Sequence, residues 1–257
     1  MSEITKVFRN EKVFIGFLTA GDPSKEKTVE YILAMEKAGA DIIEIGIPFS
    51  DPIAEGSVIQ DANTRALSNG VNTDEIFDLV KELRKESKIP LSFLTYLNPV
   101  FFYGYEKFFK RCYEVGINGI IIPDLPYEEK GEISDFAKRY DVDMISLIAP
   151  TSKERIKMIA RDATGFIYLV SSMGVTGVRS QIKTDLKEII NEIKKVTDIP
   201  VAVGFGINTP EQSKEIAKIA DGVIVGSAIV KIIEKHGYNS KKYIEEYVRE
   251  MKNAIKI

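Results

Sequence analysis

Three carboxylates stand close together on and after one apolar stretch of the chain. Glu44 lies inside the run Ile42 to Ile47, and Asp51 and Glu55 follow in the next loop. Burying a charged side chain costs free energy unless the group is paired or its pKa shifts, and such perturbed groups cluster at functional sites. The pattern indicates proton transfer by carboxylates. The alternatives are an ion pair to a neighbouring strand for Glu44, and capping of a turn or helix for the other two.

Three glycine-rich segments each follow a short apolar run later in the chain. They are Ser172 to Gly177, Gly204 to Asn208 and Gly226 to Val230. Glycine lets backbone N–H groups approach an anion closely, and the last segment opens a helix whose N-terminus and Ser227 hydroxyl can face that anion. One such loop often marks only a tight turn, but three in succession favour a phosphate site.

The remaining residue types narrow the chemistry. His236 is the only histidine and Cys112 is the only cysteine, so we expect no metal site, no Ser-His or Cys-His nucleophile and no internal disulfide. No lysine stands at the end of an apolar run, which leaves a Schiff-base aldolase without a nucleophile. Acid-base chemistry on a phosphorylated small molecule remains.

Six apolar or aromatic side chains near the ends of these runs are candidates for the walls of a substrate pocket. Each of them, taken alone, also fits a place in a hydrophobic core. They are Phe17, Leu94, Tyr96, Ile121, Tyr168 and Phe205.

Short β-branched runs alternate with longer stretches of helical periodicity, which is typical of a repeated βα unit. The pattern predicts eight strands, at Val13 to Thr19, Ile42 to Ile47, Leu91 to Tyr96, Gly119 to Pro123, Asp143 to Ile148, Gly165 to Ser171, Pro200 to Gly204 and Gly222 to Gly226.

Several helices are predicted in addition to those that connect the strands. One precedes the first strand, two occupy Ser57 to Leu67 and Thr73 to Glu86 after the second, and a short one follows the eighth strand ahead of the terminal helix. The residues Thr151 to Glu154 predict a capping box, and Thr209 followed by Pro210 predicts a second helix start.

Eight parallel strands can form an open doubly wound sheet or a closed barrel. No Gly-x-Gly-x-x-Gly follows the first strand, where a dinucleotide-binding sheet needs it, and 257 residues suit one barrel domain. The sequence therefore predicts a single α/β domain over residues 1–257, a (β/α)8 TIM barrel. Its chemistry should lie at the C-terminal ends of the strands, with phosphate held after strands seven and eight.

Composition argues against several classes of partner. The chain has 35 basic and 38 acidic side chains, a net charge of -3 and no basic run of the type that follows nucleic acid. No stretch approaches the roughly 18 apolar residues of a membrane span, and the polar start, Met1 to Lys12, is unlike a signal peptide. We expect a cytoplasmic protein with no nucleic-acid or membrane partner.

Four segments together resemble one family, the tryptophan synthase alpha subunit. They are Phe17 to Pro23, Glu44 with Gly46 to Pro52, Gly174 to Gly177, and Gly226 to Val230. The resemblance extends in order from the first strand to the last helix. It implies a barrel that cleaves indole-3-glycerol phosphate to indole and glyceraldehyde 3-phosphate by acid-base catalysis, with no metal and no cofactor in this chain.

The resemblance also implies residue roles. Glu44 would protonate the indole carbon that bears the side chain, and Glu55 would accept the indole N–H proton. Tyr168 and Phe205 would border the ring, and the phosphate would be bound by Gly177, Gly206, Gly226 and Ser227.

One position departs from the family pattern. Where the family usually has Asp, in Ala-Asp-Gly-Pro, this chain has Glu55 in Ala54-Glu55-Gly56-Ser57. The additional methylene requires the loop to stand further back, because a misplacement of about 1 Å can cost 100-fold in rate. We expect activity to survive, since the chemistry needs a carboxylate.

The family further implies a partner. Two alpha subunits flank a dimer of pyridoxal-phosphate-dependent beta subunits in an alpha2beta2 heterotetramer, and indole passes between the sites through a tunnel. The loop Pro48 to Ile53 and the loop around Thr176 would cover the substrate and contact the partner, with Asp51 meeting Thr176. The alternatives are a stand-alone lyase that releases indole and a weakly catalytic regulatory barrel. An indole-glycerol-phosphate synthase would need a strand-end lysine.

Overall fold

Nine parallel strands form one continuous sheet in the computed structural model, which describes residues 1–9, 11–171 and 179–256, with only the backbone for residues 179–185. The strands are β1 (Val13–Thr19), β2 (Ile42–Gly46), β3 (Leu91–Leu94), β4 (Gly119–Ile121), β5 (Asp143–Met144), β6 (Ser146–Ile148), β7 (Ile167–Val170), β8 (Val201–Gly204) and β9 (Gly222–Val225). Their order in the sheet is β5-β4-β3-β2-β1-β9-β8-β7-β6.

The two ends of that sheet are consecutive parts of one strand. β5 pairs with β4, and the N–H of Ile145 still donates to the carbonyl of Ile120 at 2.9 Å, whereas β6 pairs with β7. The sheet therefore closes on itself, and the predicted barrel is confirmed. The strand predicted at Asp143 to Ile148 is divided at Ile145, because the chain changes pairing partner there.

Apolar side chains on both faces of the strands explain why they read as nearly continuous hydrophobic runs. In β1, Phe14 and Leu18 pack in the outer core beneath the helices, while Val13 and Ile15 point into the barrel. All seven residues of β1 are buried. A parallel sheet covered by helices on one face and filled by side chains on the other requires this pattern.

Helices cover the barrel, most of them on its outside, whereas the first one packs Ile4 into the inner core. They are α1 (Glu3–Val7), α2 (Lys25–Ala38), α3 (Ser57–Ser68), α4 (Thr73–Leu83), α5 (Leu97–Tyr103), α6 (Tyr105–Val115), α7 (Gly131–Arg139), α8 (Lys153–Arg161), α9 (Arg179–Lys194), α10 (Pro210–Ala217), α11 (Ser227–His236) and α12 (Lys241–Ala254).

The additional helices predicted from the sequence are confirmed as α1, α3, α4 and the pair α11 and α12. A short helix after β3 was not predicted. It is α5, and Gly104, with a φ of 90°, separates it from α6. No helix within the described ranges is both long and apolar enough to cross a bilayer.

Of the two predicted helix starts, one is confirmed and one is wrong by a residue. Thr209 caps α10 by accepting from the N–H of Gln212, whose side chain completes the capping box. The start predicted at Thr151 is instead made by Ser152, which accepts from the N–H of Arg155 at 3.3 Å. Because the third helical residue is then an arginine, the reciprocal bond of a capping box cannot form.

Candidate active site

A cavity of about 630 Å³ opens at the C-terminal ends of the barrel strands, and we call it the C-terminal cavity. The strands contribute walls on several sides, and the loops that follow them, with residues of α3 and α11, form the rest. Among its lining residues are the following sequence-predicted ones: Phe17, Glu44, Glu55, Leu94, Tyr168, Phe205, Gly206, Gly226 and Ser227.

Two of the predicted pocket residues lie elsewhere. Ile121 is completely buried inside the barrel, in the inner core cluster. Tyr96 is also buried and lies behind the loop that carries Glu55, so its hydroxyl rather than its ring faces the chemistry. The difference arises because β3 ends at Leu94, and Tyr96 is already the N-cap of α5.

The loop after β2 has one buried and one exposed end. Pro48 is buried at the end of the strand, whereas Asp51 is exposed and accepts a hydrogen bond from the Ser50 hydroxyl. The predicted partners of this loop and of the phosphate, Thr176 and Gly177, lie outside the described residues.

Glu44 projects into the barrel from the middle of β2. Its neighbours in register are Phe17 of β1 and Ser92 of β3, and the residue is only 1% exposed. Its Oε1 has no hydrogen-bond partner among the described residues, and neither does the hydroxyl of Ser92. Burial in this apolar setting raises the pKa of Glu44 from 4.5 to about 8. At neutral pH the group is therefore a carboxylic acid that can give up a proton.

Tyr168 forms a wall near Glu44. Burial, and then the charge that Glu44 carries when ionised, raise the pKa of this phenol far above its usual range. The ring has room only because Gly204 has no side chain, since a Cβ there would lie 2.4 Å from the hydroxyl oxygen of Tyr168. The neutral phenol thus supplies a flat aromatic surface close to the proton donor.

Glu55 is held by a tyrosine. The hydroxyl of Tyr96 donates a hydrogen bond to its Oε2 and accepts from the N–H of Ala54 at 3.0 Å. The ring of Phe49 packs against that of Tyr96, with centroids 5.2 Å apart. Burial raises the pKa of Glu55, while the bond from Tyr96 acts in the opposite direction. This second carboxyl group is orientated at the cavity wall by a neutral donor.

An ion pair anchors the helix that follows Glu55. Asp22, which is 2% exposed in the loop after β1, accepts a two-point interaction from Arg65 of α3, with distances of 2.9 and 2.8 Å. Bidentate pairs of this kind fix geometry as well as charge. α3 is therefore tied to the loop after β1.

Backbone groups converge at the other end of the cavity. Phe205 and Gly206 follow β8 with φ values of 84° and 78°, and the carbonyl of Phe205 accepts from the hydroxyl of Ser171 at 2.6 Å. Gly226 and Ser227 open α11. The first N–H groups of a helix have no intrahelical partners and carry a partial positive charge, which suits an anion.

Several lining residues were missed in the sequence. Asn208 and Lys231 are the polar ones, and Ile59, Leu147 and Val170 extend the apolar wall. Lys231 follows Ser227 by one helical turn on α11, and that spacing was the signal that could have found it. Within the described part of the chain, no group of three His, Cys, Asp or Glu residues is arranged to hold a metal ion.

The fold and the cavity define a class of protein, barrel enzymes that pair a buried carboxylic acid with a second carboxylate. Comparison with known proteins identifies the family. Residues 4–256 match the family model described as tryptophan synthase alpha chain. The tryptophan synthase alpha chain of Lacticaseibacillus casei is 51% identical over 255 residues, covering 99% of this chain and 96% of the relative.

Solved structures agree with that match. The tryptophan synthase alpha chain from Legionella pneumophila subsp. pneumophila superposes with a TM-score of 0.89 at 35% identity, covering 99% of this chain and 97% of that one. A chain from the tryptophan synthase a2b2 complex of Pyrococcus furiosus gives 0.87 at 39% identity, covering 95% and 99%. The protein belongs to the tryptophan synthase alpha chain family.

Proposed function

We propose that this chain cleaves indole-3-glycerol phosphate to indole and glyceraldehyde 3-phosphate as the alpha subunit of tryptophan synthase, with Glu44 as the acid and Glu55 as the base. The observation that carries the proposal is the carboxyl group of Glu44, buried with no described partner for its Oε1, in the same cavity as Glu55. One barrel sheet supports taking residues 1–257 as a single domain.

Glu44 performs the first proton transfer. Its carboxylic acid donates to the indole carbon that bears the glycerol phosphate side chain, which converts the ring to an indolenine. When the bond from that carbon to the side chain breaks, its electron pair returns to the ring. The adjacent hydroxyl becomes the aldehyde of glyceraldehyde 3-phosphate and gives its proton to the carboxylate of Glu44, which restores the acid.

Glu55 serves the opposite end of the ring. Its carboxylate accepts the indole N–H proton as the ring is protonated at carbon, and it returns that proton as indole forms. The protons therefore balance over the cycle. The Tyr96 hydroxyl orientates this carboxylate, which compensates for the additional methylene of a glutamate at this position.

The other residues of the C-terminal cavity bind the two ends of the substrate. Phe17, Tyr168 and Leu94 offer an apolar surface for the indole ring. The phosphate lies at the N-terminus of α11, against the backbone of Gly226 and Ser227 and near Gly206. We assign Thr176 and Gly177 to the same phosphate end from the sequence alone.

The beta subunit is the partner that this proposal requires. Large apolar side chains are exposed on segments that follow β2 and β3, with Ile53 78% exposed in the loop after β2, and Phe101 65% and Phe102 91% exposed on α5. Exposed apolar groups that lie together indicate a protein interface. They favour a subunit over a stand-alone lyase. Pro48 and Asp51 belong to the loop that we assign to closure of the cavity and to contact with beta. Pyridoxal phosphate would be held by the beta subunit and not by this chain. We place the complex in the cytoplasm.

Substitution of each carboxylate tests the roles. Glutamine keeps the size of glutamate but neither gives nor takes the required proton, so Glu44→Gln and Glu55→Gln should each lower kcat by about 100-fold or more. Indole release is measured at saturating substrate, with phosphate binding as the control for an intact cavity. If Glu55→Gln turned over like the parent while Glu44→Gln was inactive, the role of Glu55 would be wrong.

A further inference from the structure

The C-terminal cavity has an uneven distribution of charge. Its lining residues within the described ranges include two acidic side chains, Glu44 and Glu55, and a single basic one, Lys231. Glu44 is neutral at pH 7 because burial raises its pKa to about 8. A phosphate monoester carries a charge between about −1.5 and −2 at that pH. Lys231 is thus the one cationic side chain described in a cavity that must accept a dianion.

The helix places this lysine over the phosphate end. Lys231 stands four residues after Ser227 on α11, so the two residues share one face of the helix. Long helical side chains lean towards the N-terminus of their helix, so the exposed Lys231, which lines both the cavity and the groove beside α12, can reach back over the first turn. That turn carries the N–H groups and the hydroxyl to which the phosphate was assigned above.

The ammonium group is not committed elsewhere in the described structure. No ion pair joins Lys231 to any carboxylate whose position the structure describes, although Glu246 and Glu250 of α12 line the surface groove on its other side. By contrast, Glu234 on the same helix faces Arg65, at 3.8 Å. Lysine is a flexible point charge rather than a two-point donor, so it can follow an anion that the backbone holds.

We propose that Lys231 is a specificity-determining residue that selects the dianionic phosphate end of the substrate. The inference rests on the proposed function, since it names the charge that the phosphate meets in that cavity. The backbone N–H groups fix where the phosphate lies, and Lys231 adds the attraction that distinguishes a phosphorylated ligand from a neutral one. Its contribution is to binding rather than to proton transfer, because the reacting carboxylates lie at the other end.

The test compares two lysines on one helix. Lys235 lies one turn further along α11 and lines the same surface groove, but it does not line the C-terminal cavity. We expect Lys231→Gln to raise the KM for indole-3-glycerol phosphate about fivefold, the scale of a partly solvated charge interaction. Its kcat should stay near that of the parent, and Lys231→Arg should keep most of the affinity.

Binding of two simple probes separates charge from shape. Isothermal titration with inorganic phosphate should show a Kd raised about fivefold in Lys231→Gln and unchanged in Lys235→Gln. Binding of uncharged indole should be equal in all three proteins. The inference would be overturned if Lys231→Gln bound phosphate as tightly as the parent does. It would also be overturned if Lys235→Gln lost as much phosphate affinity as Lys231→Gln, or if Lys231→Gln lost as much affinity for indole as for phosphate.

The phosphate titration does not depend on catalysis. Suppose that neither the parent nor any variant cleaved the substrate, but that Lys231→Gln still weakened phosphate binding and Lys235→Gln did not. The proposed function would then fail, and the inference about Lys231 would stand. If the parent bound no phosphate at all, the inference itself would be wrong.

Discussion

Replacing Glu44 with glutamine should stabilise the protein at neutral pH while removing its chemistry. The folded state holds this carboxyl group with a pKa near 8, against an ordinary value of 4.5. Between those two values the folded protein binds a proton that the unfolded chain releases, so the contribution of Glu44 to stability is complete below pH 4.5 and is lost as the pH rises to 8. Glutamine does not titrate, so the variant does not lose stability in this way as the pH rises.

The size of the effect follows from the shift. Each pKa unit corresponds to about 1.4 kcal/mol, so the difference in free energy of unfolding between Glu44→Gln and the parent should widen by about 3 kcal/mol from pH 5 to pH 7.5. Any change in packing caused by the amide is present at both pH values and cancels in this comparison.

Urea unfolding at the two pH values measures the widening. The chain contains no tryptophan, so the transition is followed by far-ultraviolet circular dichroism. Glu44→Leu is the matched control, because it also cannot titrate and should show the same widening whatever its absolute stability. A widening below about 1 kcal/mol in both variants would refute the conclusion that burial keeps Glu44 protonated.

Three further outcomes follow from individual contacts. Tyr96→Phe removes the hydrogen-bond donor to Glu55 and should lower kcat about tenfold. Because that bond lowers the pKa of Glu55, its loss should also move the acid limb of the pH-rate profile to higher pH. An acid limb at the same pH as in the parent would contradict this. Gly204→Ala places a Cβ 2.4 Å from the Tyr168 hydroxyl oxygen and should cost about 1–3 kcal/mol in urea unfolding, whereas no cost would mean that the ring has room. Phe102→Ser should leave indole release by the isolated chain unchanged but weaken its activation by beta, and superimposable titrations would remove this residue from the interface.

Most of the scaffold could be predicted from the sequence because most of the strands, such as β1 and β8, are buried on both faces. Their apolar residues form nearly continuous runs, which locate the barrel strands. The division of the fifth strand at Ile145 could not be predicted, since it depends on which neighbour each half pairs with. The start of α8 at Ser152 rather than Thr151 is a choice between adjacent hydroxyls that only backbone geometry decides.

In the site, too, some residues are revealed by the local sequence pattern, whereas the contacts of others depend on the fold. Glu44 is visible in the sequence because a lone carboxylate interrupts an apolar run. Tyr96 is expected among the pocket walls because its residue type is aromatic, but its structural contribution is a hydroxyl bound to Glu55 across 41 positions of the chain. Ile121 is completely buried among the inner core side chains, although its register partner Leu94 lines the cavity. Contacts between distant positions and the filling of the barrel depend on how the strands come together.

Indole release from indole-3-glycerol phosphate by the purified chain, alone and with a beta subunit added, tests the central claim most directly. Because the substrate carries the same indole ring, the released indole is separated from it before it is quantified. We predict slow release by the chain alone and a strong acceleration when beta is added. Fast release that beta does not change would contradict the subunit role, and no release under either condition would contradict the proposed chemistry of Glu44 and Glu55.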